Sequence, residues 1–307
     1  MHDETPAVRQ AARVLVRELQ LLDGQSRVEG FGISDCHFIT ELQALGEATA
    51  SELAERLVLE KSTVSRLCRG LVTRGLVERL DDPSDGRKRL LRLTVSGEAA
   101  AERIHAAANR QVDDALGMVP AGARNEIVAG LERYARGLRY ARLSAGFSIR
   151  PIRKRDNPRV ARIIREVMTS YGAVGQGYSI NDPEVDDMHG AYPASDSAFY
   201  VIERGGEVLG CGGIGPLRGA AKDVCELRKM YLLPEARGTG IGARLLEQCL
   251  ASAIELGYRT CYLETLEHMT HARHLYGKYG FAAIDKPLGD TGHSACNHWM
   301  VKKLDDR

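Results

Sequence analysis

The sequence predicts two domains: a helical domain carrying one β-hairpin over residues 1–146, then a mixed α/β domain over residues 147–307. Three observations lead there. The chain has 307 residues, and globular domains commonly run to roughly 150 residues. Up to residue 143 apolar residues recur mainly at helical spacing, interrupted by one extended stretch with a turn cluster. After Ser144-Ala145-Gly146 the pattern becomes one of apolar strands alternating with helices, the mark of an α/β layer architecture.

Hydrophobic residues make up 44% of the chain, enough for each half to bury a core. The sequence shows no N-terminal apolar run of signal-peptide length, and no stretch near the roughly 18 apolar residues that a membrane helix needs. A cytoplasmic protein that does not contact membranes is expected. The seven cysteines are odd in number and scattered, with no Cys-x-x-Cys pair, which fits reduced thiols better than a disulfide framework or a zinc site. Net charge is +1 and says nothing about polyanionic partners. Between Lys61 and Arg92, however, nine Lys/Arg stand against four Asp/Glu, a confined basic stripe.

In the first half, Val8, Ala12, Leu15, Val16, Leu19 and Leu22 repeat at helical spacing. Further helices are expected at about 34–46, 51–57, 62–74, 97–117 and 122–143, the last with Ile127, Leu131, Tyr134 and Leu138 on one stripe. Residues 76–94 read as two short strands around Asp81-Asp82-Pro83-Ser84-Asp85-Gly86, a hairpin. The helix at 51–57 and the next one are joined by Val58-Leu59-Glu60, with Ser62 as the expected N-cap of the second. Two helices with so short a turn form a helix-turn-helix, whose second helix fits a DNA major groove. Val64, Leu67, Leu71 and Val72 face inward, leaving Ser62, Thr63, Ser65, Arg66 and Arg69 for bases and phosphates. The hairpin is the wing: Arg87 and Lys88 lie at or just beyond its tip, where arginine enters a narrow minor groove, and Gly86 supplies the turn.

Ser51-x-Leu53-Ala54, Thr63-Val64-Ser65-Arg66, Leu71-x-x-x-Gly75-Leu76-Val77, Asp85-Gly86-Arg87 and Leu93-Thr94-x-x-Gly97 together resemble the MarR family of transcriptional regulators, over about residues 5–145. The resemblance implies a winged helix-turn-helix homodimer, formed by the first helix and the last two, that reads a near-palindromic double-stranded operator. A winged-helix scaffold used for protein contacts is the other reading.

In the second half strands are expected at 148–153, 198–204, 207–215, 224–233, 260–265, 281–285 and 296–304, with helices at 158–171, 240–256 and 270–279. The most informative segment is the apolar strand ending at Pro234, followed by Arg237-Gly238-Thr239-Gly240-Ile241-Gly242 and an amphipathic helix. Glycines at a helix N-terminus let backbone N–H groups approach a pyrophosphate, and Arg237 adds a cation. The turn lacks the lysine of a P-loop, and no second Rossmann unit follows.

This segment and Ala272-Arg273-His274-Leu275-Tyr276-Gly277-Lys278-Tyr279-Gly280-Phe281 resemble the GNAT N-acetyltransferase superfamily, over about residues 148–304. The resemblance implies acetyl-CoA in a splayed gap between two strands. Its pantetheine would pair with backbone at Met230, Tyr231 and Leu232, and its pyrophosphate would sit on Arg237, Gly238, Thr239, Gly240, Gly242 and Ala243. Many relatives carry Asn where this chain has Met269. Acetyl transfer to an amine needs a base, an oxyanion donor and an acid for the leaving thiolate. Glu226 is the candidate base, directly or through water, a backbone N–H near Tyr231 the oxyanion donor, and Tyr276 the acid; Tyr279 is read as structural.

No metal site is read. His268, His271 and His274 recur every three residues, whereas helical metal pairs want i,i+4, and no acid is fixed nearby. His293, Cys296 and His298 either line the acceptor pocket or are structural. The loop 172–195, with Asp182, Glu184, Asp186 and Asp187, either attracts a cationic amine or is a solvated acidic loop. The whole chain reads as a bifunctional transcriptional regulator and N-acetyltransferase acting on a small amine. The alternative is a DNA-binding regulator whose second half only senses acetyl-CoA or a ligand.

Overall fold

The computed structural model describes residues 3–22, 28–82, 85 and 88–304, which form two compact units, Met1–Val128 and Ala129–Arg307. The first begins with α1 (Thr5–Glu18), α2 (Ile33–Leu45), a short strand β1 (Glu47–Thr49), α3 (Ala50–Leu57) and α4 (Lys61–Thr73). The hairpin strands β2 (Val77–Asp81) and β3 (Arg89–Leu93) follow, then α5 (Val95–Gly117) and α6 (Arg124–Leu143), whose sequence runs across the division. The small sheet has order β1-β3-β2 and is antiparallel. β1 did not show in the sequence, since three residues give no periodicity.

Local chemistry explains these elements. Thr49 and Glu52 form a capping box at α3: the Glu52 N–H donates to Thr49 Oγ1 at 3.2 Å, and the Thr49 N–H donates to Glu52 Oε2 at 2.7 Å. Those bonds from Thr49 hold the Glu52 carboxyl below its usual range. α3 stops at Val58, which takes the left-handed conformation at φ 56°. Contrary to expectation, Ser62 is not the cap of α4. The helix starts one residue earlier, with Glu60 at the cap position and no side-chain bond there, so Ser62 lies in the exposed first turn. Leu93-Thr94-x-x-Gly97 is also explained. Thr94 Oγ1 accepts from the Gly97 N–H at 3.1 Å to cap α5, and a Cβ on Gly97 would sit 2.1 Å from the Leu76 carbonyl oxygen.

Phe38, Ile39, Leu42, Leu53, Val64 and Leu71 are buried in the core of this unit, with Cys68 joining the inward face of α4. The apolar stripes of α1 and α6 behave differently: neither helix buries a residue, and Val8, Leu15, Leu19, Ile127, Leu131 and Leu138 are all exposed.

The second unit is a seven-stranded sheet of order β4-β5-β6-β7-β8-β10-β9. Its strands are β4 (Phe147–Pro151), β5 (Ala198–Arg204), β6 (Glu207–Pro216), β7 (Val224–Leu232), β8 (Thr260–Thr265), β9 (Ala282–Ile284) and β10 (His298–Lys303). Helices α7 (Asn157–Ser170), α8 (Ile241–Glu255) and α9 (Thr270–Lys278) complete it. All neighbouring pairs are antiparallel except β7–β8, which are parallel. Ile163 and Ile164 from α7, Ile202 and Ile214 from the sheet, and Leu245 and Leu246 from α8 are buried in one core. None of the helices among the described residues is long and apolar enough to cross a membrane.

Candidate functional site

The sheet opens where the two strands that run parallel part company. β7 and β8 pair over only Val224↔Thr260, Cys225↔Cys261 and Glu226↔Tyr262. Beyond Glu226 the facing edge of β7 has no ladder partner in β8. The β6–β7 register also shifts between Cys211 and Gly213, opposite Lys229, which holds φ 54°. Backbone alternation then sorts β7. Leu233 gives its N–H to Leu209 O at 2.9 Å, and Tyr231 pairs with Cys211 two residues earlier in the same ladder, so both face β6. Leu232 faces the gap, where its carbonyl accepts from Arg237 Nε at 2.8 Å, and Met230 lies two residues earlier on the same edge.

The gap widens into a cleft of about 820 Å³. Met230, Tyr231 and Leu232 line one wall, and Arg237, Gly238, Gly240, Gly242 and Ala243 line the next. Gly238 and Gly240 hold φ of 69° and 83°, a conformation that side chains resist, and Gly240 is the residue from which α8 starts. At Gly242 an added Cβ would come within 3.3 Å of Leu232 Cδ2, so glycine there lets helix and strand pack closely. Thr239 is spent within the turn: its hydroxyl donates to Ala236 O at 2.7 Å and accepts from the Ile241 N–H at 3.4 Å. Arg237 is exposed and also lies over the Tyr171 ring, 5.8 Å from its centre.

The cleft narrows into a cavity of about 70 Å³ that shares Met230, Tyr231, Met269 and Tyr276 with it. Glu226 lines this cavity too, so the structure gathers both candidate catalytic residues around one small space. Glu226 is buried at 5% exposure, although its carboxylate pairs with Arg228 Nε at 2.9 Å. Burial outweighs that attraction and pushes its carboxyl up to about 7. Tyr276 is buried against Phe281, ring centres 5.9 Å apart, and burial lifts its hydroxyl well above the usual tyrosine range. Tyr279, just after α9, also lines the cleft and donates to Glu247 Oε1 at 2.6 Å.

Beyond Glu226 lies a third cavity, of about 370 Å³, which shares Glu226, Arg228 and His293 with the small one. An ion-pair network that the sequence did not reveal lies alongside it. Lys229, 5% exposed, pairs with Asp182, with Glu184 at 3.7 Å, and donates to Ser179 O at 3.2 Å. His293 meets Asp182 at 2.9 Å and Glu264 at 3.4 Å. Burial alone would lower the His293 pKa, but these hydrogen bonds carry it up to about 9. Asp182 moves the other way: burial resists ionisation, and His293 with Lys229 overcomes it, holding the carboxyl below its usual range. The acids of loop 172–195 are therefore engaged internally. Asp186 pairs with Arg165 at 2.9 Å, and Asp187 accepts from Asn157 at 2.7 Å.

Among the described residues, Glu226, Glu264 and His293 bring donor atoms within 4.8 Å of one another, the geometry of a metal triad. His293 places its two ring nitrogens against Asp182 and Glu264. His268 Nε2 donates to Tyr171 O at 3.0 Å and precedes α9, while His271 and His274 line the outer cleft. Cys296 lines the small cavity, and His298 opens β10.

In the first unit Ser62, Ser65, Arg66 and Arg69 all lie on the exposed face of α4, with Thr63 half-buried beside them. Much of the basic stripe is neutralised within the unit: Arg74 pairs with Asp35, Arg89 with Asp81, and Arg92 with Glu78 and Glu47. Lys61, Arg66 and Arg69 make no ion pair among the described residues. Lys88 reaches Asp85 at 4.0 Å, and Gly86 and Arg87 lie outside the described residues.

Comparison with known proteins matches residues 161–281 to the Acetyltransferase (GNAT) family and residues 30–88 to the MarR family. The uncharacterized N-acetyltransferase YjgM of Escherichia coli K12 is 42% identical over 157 residues, covering 51% of this chain and 94% of that protein. The IAA acetyltransferase of Azospirillum brasilense is 36% identical over 109 residues, 36% of this chain and 69% of that one. The uncharacterized HTH-type transcriptional regulator YxaD of Bacillus subtilis is 34% identical over 82 residues, 27% of this chain and 57% of that one.

Proposed function

This chain belongs to the acetyltransferase (GNAT) family and carries a MarR-family region before the transferase domain, and on that premise we propose that it is a cytoplasmic transcriptional regulator that also transfers acetyl from acetyl-CoA to a small amine. The observation that carries the enzymatic reading is the parting of β7 and β8 after Glu226, beside a turn with two left-handed glycines at the start of α8. The residues present fit a coenzyme A thioester. Met230 and Leu232 offer an open strand edge to the pantetheine amides, and Arg237 to Ala243 offer a cation and a helix N-terminus to the pyrophosphate.

Acetyl-CoA supplies the activated acetyl group. Glu226, poised near neutrality by burial, takes the proton from the acceptor's ammonium, directly or through a water. The N–H of Met230, on the same edge as Leu232, is assigned to the developing oxyanion, because Tyr231 faces β6 in the ladder. Tyr276, which burial keeps protonated, gives its proton to the leaving sulfur. The acceptor enters from the 370 Å³ cavity, on the far side of Glu226. Thiol release from acetyl-CoA over a panel of amines tests this reading: at least one amine is expected to accelerate release in proportion to acetylated product. If no amine does so, the second half is a sensor of acetyl-CoA.

For the regulatory half, the face of α4 bearing Ser62, Thr63, Ser65, Arg66 and Arg69 is assigned to the major groove of an operator, with Arg87 and Lys88 of the hairpin on the adjoining groove. The exposed apolar stripes of α1 and α6 support a homodimer, since such faces seldom stay in water. Each arginine–guanine contact contributes about 1–3 kcal/mol of discrimination, so replacing both Arg66 and Arg69 by Ala should weaken operator binding about 100-fold. Fluorescence anisotropy on DNA from the gene's own upstream region measures this, and unchanged affinity would remove α4 from the groove.

A further inference from the structure

The cavity beyond Glu226 is not built for a simple cation. Its acids are Asp182, Glu184 and Glu226. Asp182 is shared by Lys229 and His293, Glu184 lies 3.7 Å from Lys229, and Glu226 pairs with Arg228 at 2.9 Å. Every carboxylate on this wall already faces a cation.

The uncommitted groups have the opposite character. Arg218, on the loop after β6, lines the cavity and makes no ion pair among the described residues. Arg228 Nε lies 2.9 Å from the Glu226 carboxylate without a hydrogen bond, and one terminal nitrogen donates to Pro216 O, so that among the described residues the other terminal nitrogen has no partner. Tyr192 lines the same wall at 8% exposure, and its buried hydroxyl has no hydrogen-bond partner. The Tyr192 ring lies 5.9 Å from the Arg228 guanidinium carbon. A buried hydroxyl without a partner is costly, and a ligand that bonds to it removes that cost. Two guanidinium groups and a phenol hydroxyl around one space suit a carboxylate, and they repel a ligand that is only cationic.

We propose that the acceptor is a zwitterionic amine of amino-acid type, whose carboxylate lies on Arg218 and Arg228 beside the Tyr192 hydroxyl while its amino group meets Glu226. The proposal rests on the acetyl-transfer reading of the cleft. It also places the acceptor's recognition in its anionic end, and not in the acids of loop 172–195.

Matched sets of probes test it: free α-amino acids, their carboxamides, and the amines left when the carboxylate is absent, each assayed by thiol release from acetyl-CoA with the full chain. For the best acceptor, kcat/KM is expected to fall at least ~10-fold when the carboxylate becomes a carboxamide or is removed, as for the loss of a charge-assisted hydrogen bond. Arg218→Ala should lower the acid-to-carboxamide ratio at least about threefold, with Arg228 and Tyr192 keeping the rest, acting through KM for the amino acid. Tyr192→Phe keeps the ring and should raise KM for the amino acid about threefold, the size of one neutral hydrogen bond. Preference for amines without a carboxylate, with transfer intact, overturns the proposal and leaves the transferase reading standing. So does an unchanged ratio in Arg218→Ala. Transfer to none of the probes, with acetyl-CoA still bound, overturns the transferase reading and this inference with it.

Discussion

Replacing Tyr276 by Phe is expected to lower kcat about 100-fold, within the range by which a positioned general acid speeds proton transfer, while coenzyme A binds within about twofold of wild type. The substitution removes one oxygen. The ring stays packed against Phe281, and the cavity wall keeps its shape. Burial holds the hydroxyl protonated across the working pH range, so the proton is available in every turnover. Without it the thiolate leaves unprotonated. Steady-state kinetics with acetyl-CoA, beside a calorimetric Kd, separates the two effects. Wild-type turnover in the variant would make Tyr276 a packing residue.

Glu226→Gln is expected to cost about 1,000-fold in kcat/KM and to erase the acid limb of the pH profile. The direction follows from the active form. The base must be ionised, and burial raises its pKa from the usual carboxylate range to about 7. In the wild type log(kcat/KM) therefore climbs with unit slope up to about pH 7 and levels off above it. Glutamine keeps the shape and the neutral state, so the residual rate should not change between pH 6 and 8. A wild-type profile without an inflection in that interval, or a variant retaining a third of the activity, would take Glu226 out of the proton path.

Much of both units was readable because short-range periodicity fixes helices and strands. Val64 and Leu71 on α4, the helix at α8, and the apolar runs of β5 to β8 all matched their expected elements. The glycine turn was legible for a related reason: Gly238 and Gly240 mark positions where only the backbone conformation decides. What stayed hidden depends on tertiary contact. His293 and Asp182 meet across 111 positions of sequence, and Glu264 reaches the His293 loop from β8. No spacing announces such a meeting. The acids of loop 172–195 looked free in sequence because their partners Lys229, Arg165 and Asn157 come from other elements. The misplaced cap of α4 has a local cause: Glu60 takes an extended backbone and starts the helix without any side-chain bond, so the favourable Ser62 misled.

If α4 enters an operator as proposed, the uncompensated cations available to it are few, because Arg74, Arg89 and Arg92 are tied to nearby acids. Binding strength then falls mainly to Lys61, Arg66, Arg69 and the hairpin, and the number of phosphates neutralised should be modest. If the bound substrate alters operator affinity, the operator must alter substrate affinity by the same factor.

On the proposed reading, the edge of β7 and the glycine turn before α8 together receive coenzyme A. Isothermal titration of the full wild-type chain with coenzyme A tests it most directly. One molecule bound per chain, with a Kd weakened at least ~10-fold by Arg237→Glu, is the outcome this account requires. An absence of binding at millimolar coenzyme A by a folded protein would contradict it.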